Sequence, residues 1–351
     1  MERKKSIARQ RDLFSLTMDV TNVGHVRSAT SSTQVVRIVH ISDTHLGHNA
    51  LTPPRPLSGN ISIRRSISSD SPNQIINEKG VNAFEKRSSS CKDSHENSFH
   101  KGGVFLSSLS GSYSTSANEI PCGDILIHSG DFYSNHSGVF SRSDNFEEIV
   151  QMMNDFFDRF PHKIKLFVAG NHETALEHKK LHTIQERLIS ATYLCNTSFT
   201  YKGINFYGAP YSPFRLMTNA RGFICNSRKI AAHWREIPSK TDVLITHTPP
   251  YGILDLATDW STRKIPKLSQ AFHRVIPAST CETCGLEHPG RSHWGCPHLR
   301  DEVLIRIKPQ LHLFGHVHEG NGIMTKKGIT FANSSYATFK RPHIFDFFTN
   351  T

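Results

Sequence analysis

The chain has 351 residues, 37% hydrophobic and 20% charged, and its 41 Lys and Arg against 30 Asp and Glu give a formal net charge of +11. That length suffices for one large domain or two small ones and excludes a disulfide-stapled mini-protein, and the seven cysteines, an odd number in so long a chain, read as reduced thiols of a cytosolic protein. No apolar run reaches the ~18 residues of a membrane-spanning helix; the basic N-terminus lacks the apolar core of a secretory signal, and Glu2, Asp12 and Asp19 count against a mitochondrial transit peptide.

Residues 1–34 are polar and basic without apolar periodicity and read as a disordered tail. The first strand is predicted over 35–41, a β-branched run stopped by Ser42 and Asp43. From 48 to 120 the composition turns serine-rich with no sustained period, which reads as a largely disordered insertion. A buried strand follows over 124–128, ending in Ser129-Gly130-Asp131. Residues 145–160 carry Phe146, Ile149, Val150, Met153, Phe156 and Phe157 at helical spacing. A strand over 165–169 ends in Gly170-Asn171-His172-Glu173, and 198–207 reads as a hairpin turning at Lys202-Gly203. A helix is expected over 226–236, a strand over 242–246 ending at His247, a helix over 299–307, and a strand over 310–314 ending in Gly315-His316-Val317-His318. Two more strands are expected over 328–332 and 343–348.

Five of these strands end in polar clusters: Asp43-Thr44-His45, Gly130-Asp131, Gly170-Asn171-His172-Glu173, the His247 loop, and Gly315-His316-Val317-His318. Strand C-termini are where open α/β sheets gather ligands. If the tips converge, the site offers two Asp, one Asn and five of the 22 histidines. Carboxylate, amide and imidazole together suit divalent metals, and one carboxylate can bridge two ions. Two metals ~3.5–4 Å apart stabilise the attacking and leaving oxygens of an in-line displacement at phosphorus, and a histidine that binds neither can protonate the leaving alkoxide. His40, His128 and His312 lie within predicted strands and read as core or edge residues.

The D-x-H, G-D, G-N-H-E, H and G-H-x-H series resembles the calcineurin-like metallophosphoesterase superfamily. The stretches at 121–132, 201–213, 246–255 and 308–322 are similar to its animal metallophosphoesterase-domain-containing, brain-type branch. The resemblance covers roughly 35–50 and 120–348. It implies an α/β fold built as a four-layer α/β/β/α sandwich of two mixed sheets, and a dimetal phosphodiesterase. By motif, one metal would be held by Asp43, His45, Asp131 and His318, and the other by Asp131, Asn171, His247 and His316. His172 would assist the leaving group, with Glu173 orienting it. The ions implied are Mn, Fe or Zn. The substrate implied is a small phosphodiester, cyclic nucleotides first, attacked in line by metal-bound hydroxide.

Two features depart from that pattern. The insertion 48–120 follows the first ligand loop directly, where a tolerated surface loop costs little entropy. A second insertion, 257–294, contains Cys281, Cys284, His288 and His293 in a C-x2-C-x3-H-x4-H spacing suited to structural zinc. Cys296, just beyond it, reads as a buried packing residue. The rival functions are a nuclease or phosphoprotein phosphatase of the same superfamily, or a non-catalytic scaffold. The positive charge favours nucleic acid slightly, but no basic groove interleaved with aromatics accompanies it, and an intact ligand set argues against a scaffold.

Overall fold

In the computed structural model the described residues are 33–45, 47–53, 104–106, 118–133, 145–215, 222–258, 281, 288 and 291–350. The expected disordered tail falls, apart from its last two residues, outside that set, as does most of both insertions. Thr33 and Gln34 already belong to the first strand, β1 (Thr33–Ile41), because they pair with Asn350 and Thr349 of the last, β16 (His343–Asn350).

Parts of the stretch expected to lack order are anchored. Gly47–Ala50 forms a 3-10 turn, Thr52 bridges to Glu119, and Leu51 and Ile120 are buried. The short strand β2 (Val104–Leu106) pairs with β16. Further along come β3 (Ile125–His128), β4 (Ile164–Phe167) and β5 (Thr192–Tyr193). They complete a mixed sheet in the order β2-β16-β1-β3-β4-β5, in which β1, β3, β4 and β5 run parallel.

The second sheet holds β6 (Thr197–Tyr201), β7 (Ile204–Ala209), β10 (Val243–Thr246), β13 (Leu311–Phe314), β14 (Gly322–Lys326) and β15 (Ile329–Asn333) in the order β14-β15-β13-β10-β7-β6. Its four central strands are parallel and its two edges antiparallel. Lys202-Gly203 closes the β6–β7 hairpin as expected. Lys327-Gly328 closes an unexpected twin, β14–β15. In both, the two turn residues have positive φ (48° and 77°; 51° and 75°), the geometry whose twist matches the flanking strands.

Strand alternation assigns the layers. Val36 and Ile38 of β1 share a buried cluster with Ile125, Ile127, Val243, Ile245, Leu311 and Leu313, so the two sheets face each other across this core. Val39, Ile41, Leu126 and Phe167 point the other way, onto helix α1 (Phe146–Asp158) through Ile149, Val150, Met153, Phe156 and Phe157. On the far side Leu244, Phe314 and Phe331 pack against Ile230 and Trp234 of α4 (Ser227–Arg235) and Leu299 of α5 (Pro297–Asp301). The order helix, sheet, sheet, helix is the expected four-layer α/β/β/α sandwich. Two short helices, α2 (Thr174–Glu177) and α3 (Leu181–Arg187), link β4 to β5, and the two-residue strands β8 (Ser212–Pro213) and β9 (Ile224–Cys225) pair with each other between β7 and α4.

Local chemistry sets the helix ends. Asn145 Oδ1 accepts from Glu147 N at 3.1 Å and Asn226 Oδ1 from Lys229 N at 3.0 Å, each satisfying an orphan donor of the first turn. The helix expected over 299–307 starts earlier, with Pro297 in its first turn, and widens into a π-helical turn over Glu302–Ile307. Cys296 is buried and its Sγ accepts from Trp234 Nε1 at 3.2 Å, so it is a packing residue.

His40, His128 and His312 are fully buried, as expected. Nε2 of His312 meets Thr246 Oγ1 at 2.9 Å, and burial lowers its pKa to about 3. In the unfolded chain this histidine takes a proton below about pH 6.5, whereas in the fold it stays neutral until far lower pH. Stability is therefore present above pH 6.5 and is lost as pH falls toward 3. Urea denaturation of wild type and His312→Gln at pH 7 and pH 5 tests this. The wild type should lose about 2 kcal/mol more than the variant between the two, at 1.36 kcal/mol per pKa unit. Equal losses would show that His312 does not titrate this way.

Candidate metal centre

Each expected residue of the two-metal set leaves the C-terminal end of a parallel strand. β1, β3 and β4 of the first sheet deliver Asp43 and His45, then Asp131, then Asn171, His172 and Glu173. β10 and β13 of the second sheet deliver His247, then His316 and His318. Main-chain bonds knit these loops together: Asp43 N donates to Gly130 O (2.9 Å), His45 N to Asp131 O (3.1 Å) and Gly315 N to His247 O (3.0 Å).

The loops turn sharply to aim their side chains. Asp43, His45, Asp131 and His316 have φ of 52°, 43°, 54° and 69°. Each left-handed residue costs on the order of 1 kcal/mol, although Asp and His tolerate it better than most. Four such residues among nine site positions is strain stored where chemistry is expected. The motif glycines answer to space. A Cβ on Gly315 would come within 2.0 Å of Asp43 Oδ2, and one on Gly170 within 2.3 Å of Asp131 Oδ1.

The side chains form two groups that share Asp131. In the first, His45 Nε2 lies 3.0 Å from His318 Nε2, His318 Nε2 lies 3.5 Å from Asp43 Oδ1, and His45 Nε2 lies 3.9 Å from Asp131 Oδ2. In the second, His247 Nε2 lies 3.2 Å from the same Asp131 oxygen, 2.8 Å from Asn171 Oδ1 and 3.2 Å from His316 Nδ1. Asp43, His45 and His318, and likewise Asp131, His247 and His316, present donor atoms within 4.8 Å of one another. His172 Nε2 stands 3.9 Å from Asp131 Oδ2 with its ring edge-on to His45. His45, Asp131 and His172 form a third such triple.

The electrostatics fit cations. Asp43 and Asp131 are buried, and among the described residues their recorded ion pairs are to imidazoles. Burial opposes ionisation of both. The His318 hydrogen bond, with His247 and His318, nevertheless holds the Asp43 carboxyl below the usual range, and His247 and His172 do so for Asp131. Burial also disfavours charge on His247, yet Asp131 raises it to about 9. Burial takes His316 down to about 3, helped by His247. Carboxylates out of water with imidazole nitrogens packed 3 Å apart are a donor set for metal ions, whose binding would displace the His247 proton.

Glu173 departs from expectation. Its carboxylate does not serve the His172 ring. Oε2 accepts from Asp131 N (2.9 Å) and from Gly170 N, and Oε1 from Tyr133 N (3.0 Å). It ties the β3 loop to the β4 loop through main-chain amides. His172 is instead placed by its own backbone N–H, which donates to Asp131 Oδ1 at 3.0 Å.

Two residues near the centre carry no motif. Trp294 lies with its ring 6.1 Å from that of His316, and the Arg215 guanidinium sits 5.2 Å over Trp294. Thr258 N–H and Oγ1–H both donate to Glu319, the residue after His318. Of the second expected metal group, Cys281, His288 and His293 are brought together; Cys284 lies outside the described residues.

The calcineurin-like phosphoesterase family profile matches residues 36–320. A UPF0046 protein of Caenorhabditis elegans is 32% identical over 229 residues, 62% of this chain and 63% of that protein. A second from the same organism is 31% identical over 65% of this chain and 72% of that one. Metallophosphoesterase domain-containing protein 1 of Homo sapiens is 28% identical over 63% of this chain and 62% of its own. The match to the first of these relatives thus spans a little under two thirds of its length. Among the described residues, no helix is long and apolar enough to cross a membrane.

Proposed function

The chain belongs to the calcineurin-like phosphoesterase family, and from that membership we propose that it is a dimetal phosphodiesterase acting on small phosphodiesters, cyclic nucleotides first. The observation that carries this reading is the single Asp131 oxygen set between His45 and His247, so that one carboxylate serves two donor groups. Asp43, His45, Asp131 and His318 would hold one divalent ion, and Asp131, Asn171, His247 and His316 the other. Mn, Fe and Zn all suit such mixed oxygen and nitrogen ligation. When bound, two such ions supply positive charge to the phosphoryl oxygens and acidify water.

The chain's own residues do the rest. His172, with a side chain 19% exposed, faces both the shared carboxylate and solvent, and we assign it delivery of a proton to the departing alkoxide. An alkyl alkoxide is a strong base and a poor leaving group, so a proton delivered as the P–O bond breaks lowers the barrier. Trp294 offers an aromatic face beside His316 on which a nucleobase can stack, which favours a nucleotide diester.

The test compares turnover of bis-(p-nitrophenyl) phosphate, p-nitrophenyl phosphate and cyclic nucleotides with added Mn²⁺. Both diesters should turn over faster than the monoester. His172→Ala should lower kcat on the cyclic nucleotides by about 10²–10⁴-fold, the usual worth of general acid catalysis, and less on the p-nitrophenyl esters, with both metals retained. Preference for the monoester would point to a phosphatase. Activity confined to polynucleotides would point to a nuclease. Turnover of nothing at full metal occupancy would leave a scaffold.

A further inference from the structure

We propose that Cys281, His288 and His293 form a zinc site separate from the dimetal centre, which clips the ribbon of β11 (Leu256–Thr258) and β12 (Arg291–His293) and thereby holds Trp294 beside His316. The three donor atoms lie within 4.8 Å of one another, and Cys281 Sγ is 3.5 Å from His293 Nε2. Both imidazoles face an acceptor through Nδ1, which fixes the tautomer with Nε2 open to a metal. His288 Nδ1 faces the Arg291 carbonyl at 3.2 Å and His293 Nδ1 faces Asp255 Oδ1 at 2.6 Å. Each Nδ1 therefore carries the hydrogen and each Nε2 keeps its lone pair for the metal.

Asp255 gives the site a carboxylate–histidine–metal relay, the usual support of a ligating imidazole. It is 1% exposed, and its other oxygen accepts from Gly252 N and Gly295 N, both at 3.0 Å. Arg215 pins the same histidine from behind by donating to the His293 carbonyl at 2.6 Å.

A line of thiol, imidazole and carboxylate is also the outline of a nucleophilic triad. His288 decides between the two. Among the described residues its Nε2 is buried with no hydrogen-bond partner, yet His288 belongs to the same donor cluster. A thiol nucleophile has no use for a second imidazole there, whereas zinc takes both nitrogens and the thiolate, with a fourth donor completing the tetrahedron.

The full chain should retain one zinc per molecule beyond the two ions of the dimetal centre. Metal analysis after exhaustive dialysis should show Asp131→Ala keeping this zinc, and Cys281→Ser and His288→Ala losing one equivalent. The dimetal donors include no cysteine, so titrating wild type with a thiol-directed mercurial should release one zinc without unfolding or mutation. Cobalt reconstitution should give the near-ultraviolet thiolate-to-cobalt band in wild type and not in Cys281→Ser. Unchanged zinc content in Cys281→Ser, or no zinc release by the mercurial, overturns the site whatever the dimetal centre does. Rapid alkylation of Cys281 in the dialysed wild type, at a rate that added Zn²⁺ does not slow, overturns it too and favours the nucleophile.

Discussion

Asp131→Ala should leave a folded protein that binds neither ion of the dimetal centre stoichiometrically and hydrolyses phosphodiesters at least about 10³-fold more slowly, a barrier increase of about 4 kcal/mol at 1.36 kcal/mol per decade. The size follows from position. Asp131 Oδ2 faces His45 and His247 at 3.9 and 3.2 Å, while its Oδ1 accepts from the backbone of His172. One substitution thus removes a ligand from each proposed metal and the anchor of the proposed acid. Asn171→Ala and His316→Ala touch only one donor group and should cost less. Isothermal titration with Mn²⁺ together with diester turnover measures both effects. A variant that keeps two Mn²⁺ with wild-type affinity contradicts the shared-carboxylate assignment, even if activity falls.

Glu173→Ala should destabilise the fold by about 3 kcal/mol. The carboxylate is fully buried and takes hydrogen bonds from the amides of Asp131, Tyr133 and Gly170. Each amide left without an acceptor costs about 1–3 kcal/mol. The gain from removing a buried acid offsets part of this: burial, and then the charge of Asp131, raise the Glu173 pKa to about 7. Urea denaturation in the presence of EDTA reads the fold without metal contributions. A residue that merely oriented His172 would lower kcat and leave the EDTA midpoint unchanged, so an unmoved midpoint would restore that role.

The layers were legible because their signals are local. β1 announces itself by alternation, α1 by 3.6-residue spacing, and the ligand loops by rare dipeptides at strand ends. What escaped notice depends on distant partners. β2 is three residues whose reason to be a strand is the open edge of β16. β14 shares the Lys-Gly turn of β6–β7, but Gly322, Ile323 and Met324 lack the β-branched alternation that would have marked a strand. The role of Glu173 is not legible in the sequence, which places it next to His172, while its carboxylate turns back onto amides 40 and 42 residues away in the chain. Trp294 and Arg215 carry no motif at all. Trp294 comes beside His316 where the β11–β12 ribbon ends, and Arg215 reaches it from a separate loop, which spacing alone does not reveal.

The pairing of β1 with β16 also sets a clock. Strand β1 bears Asp43 and His45 at its tip, but one of its two neighbours spans 343–350, so nearly the whole chain must be synthesised before that strand is enclosed. At roughly 5–20 residues per second on the ribosome, β1 waits about a quarter of a minute to a minute with a β-branched edge unpaired, the kind of edge that recruits other chains. The proposed ligands His316 and His318 arrive only shortly before β16. Neither proposed metal site can thus form early and hold the nascent chain together, so any metal would load only once these strands are in place.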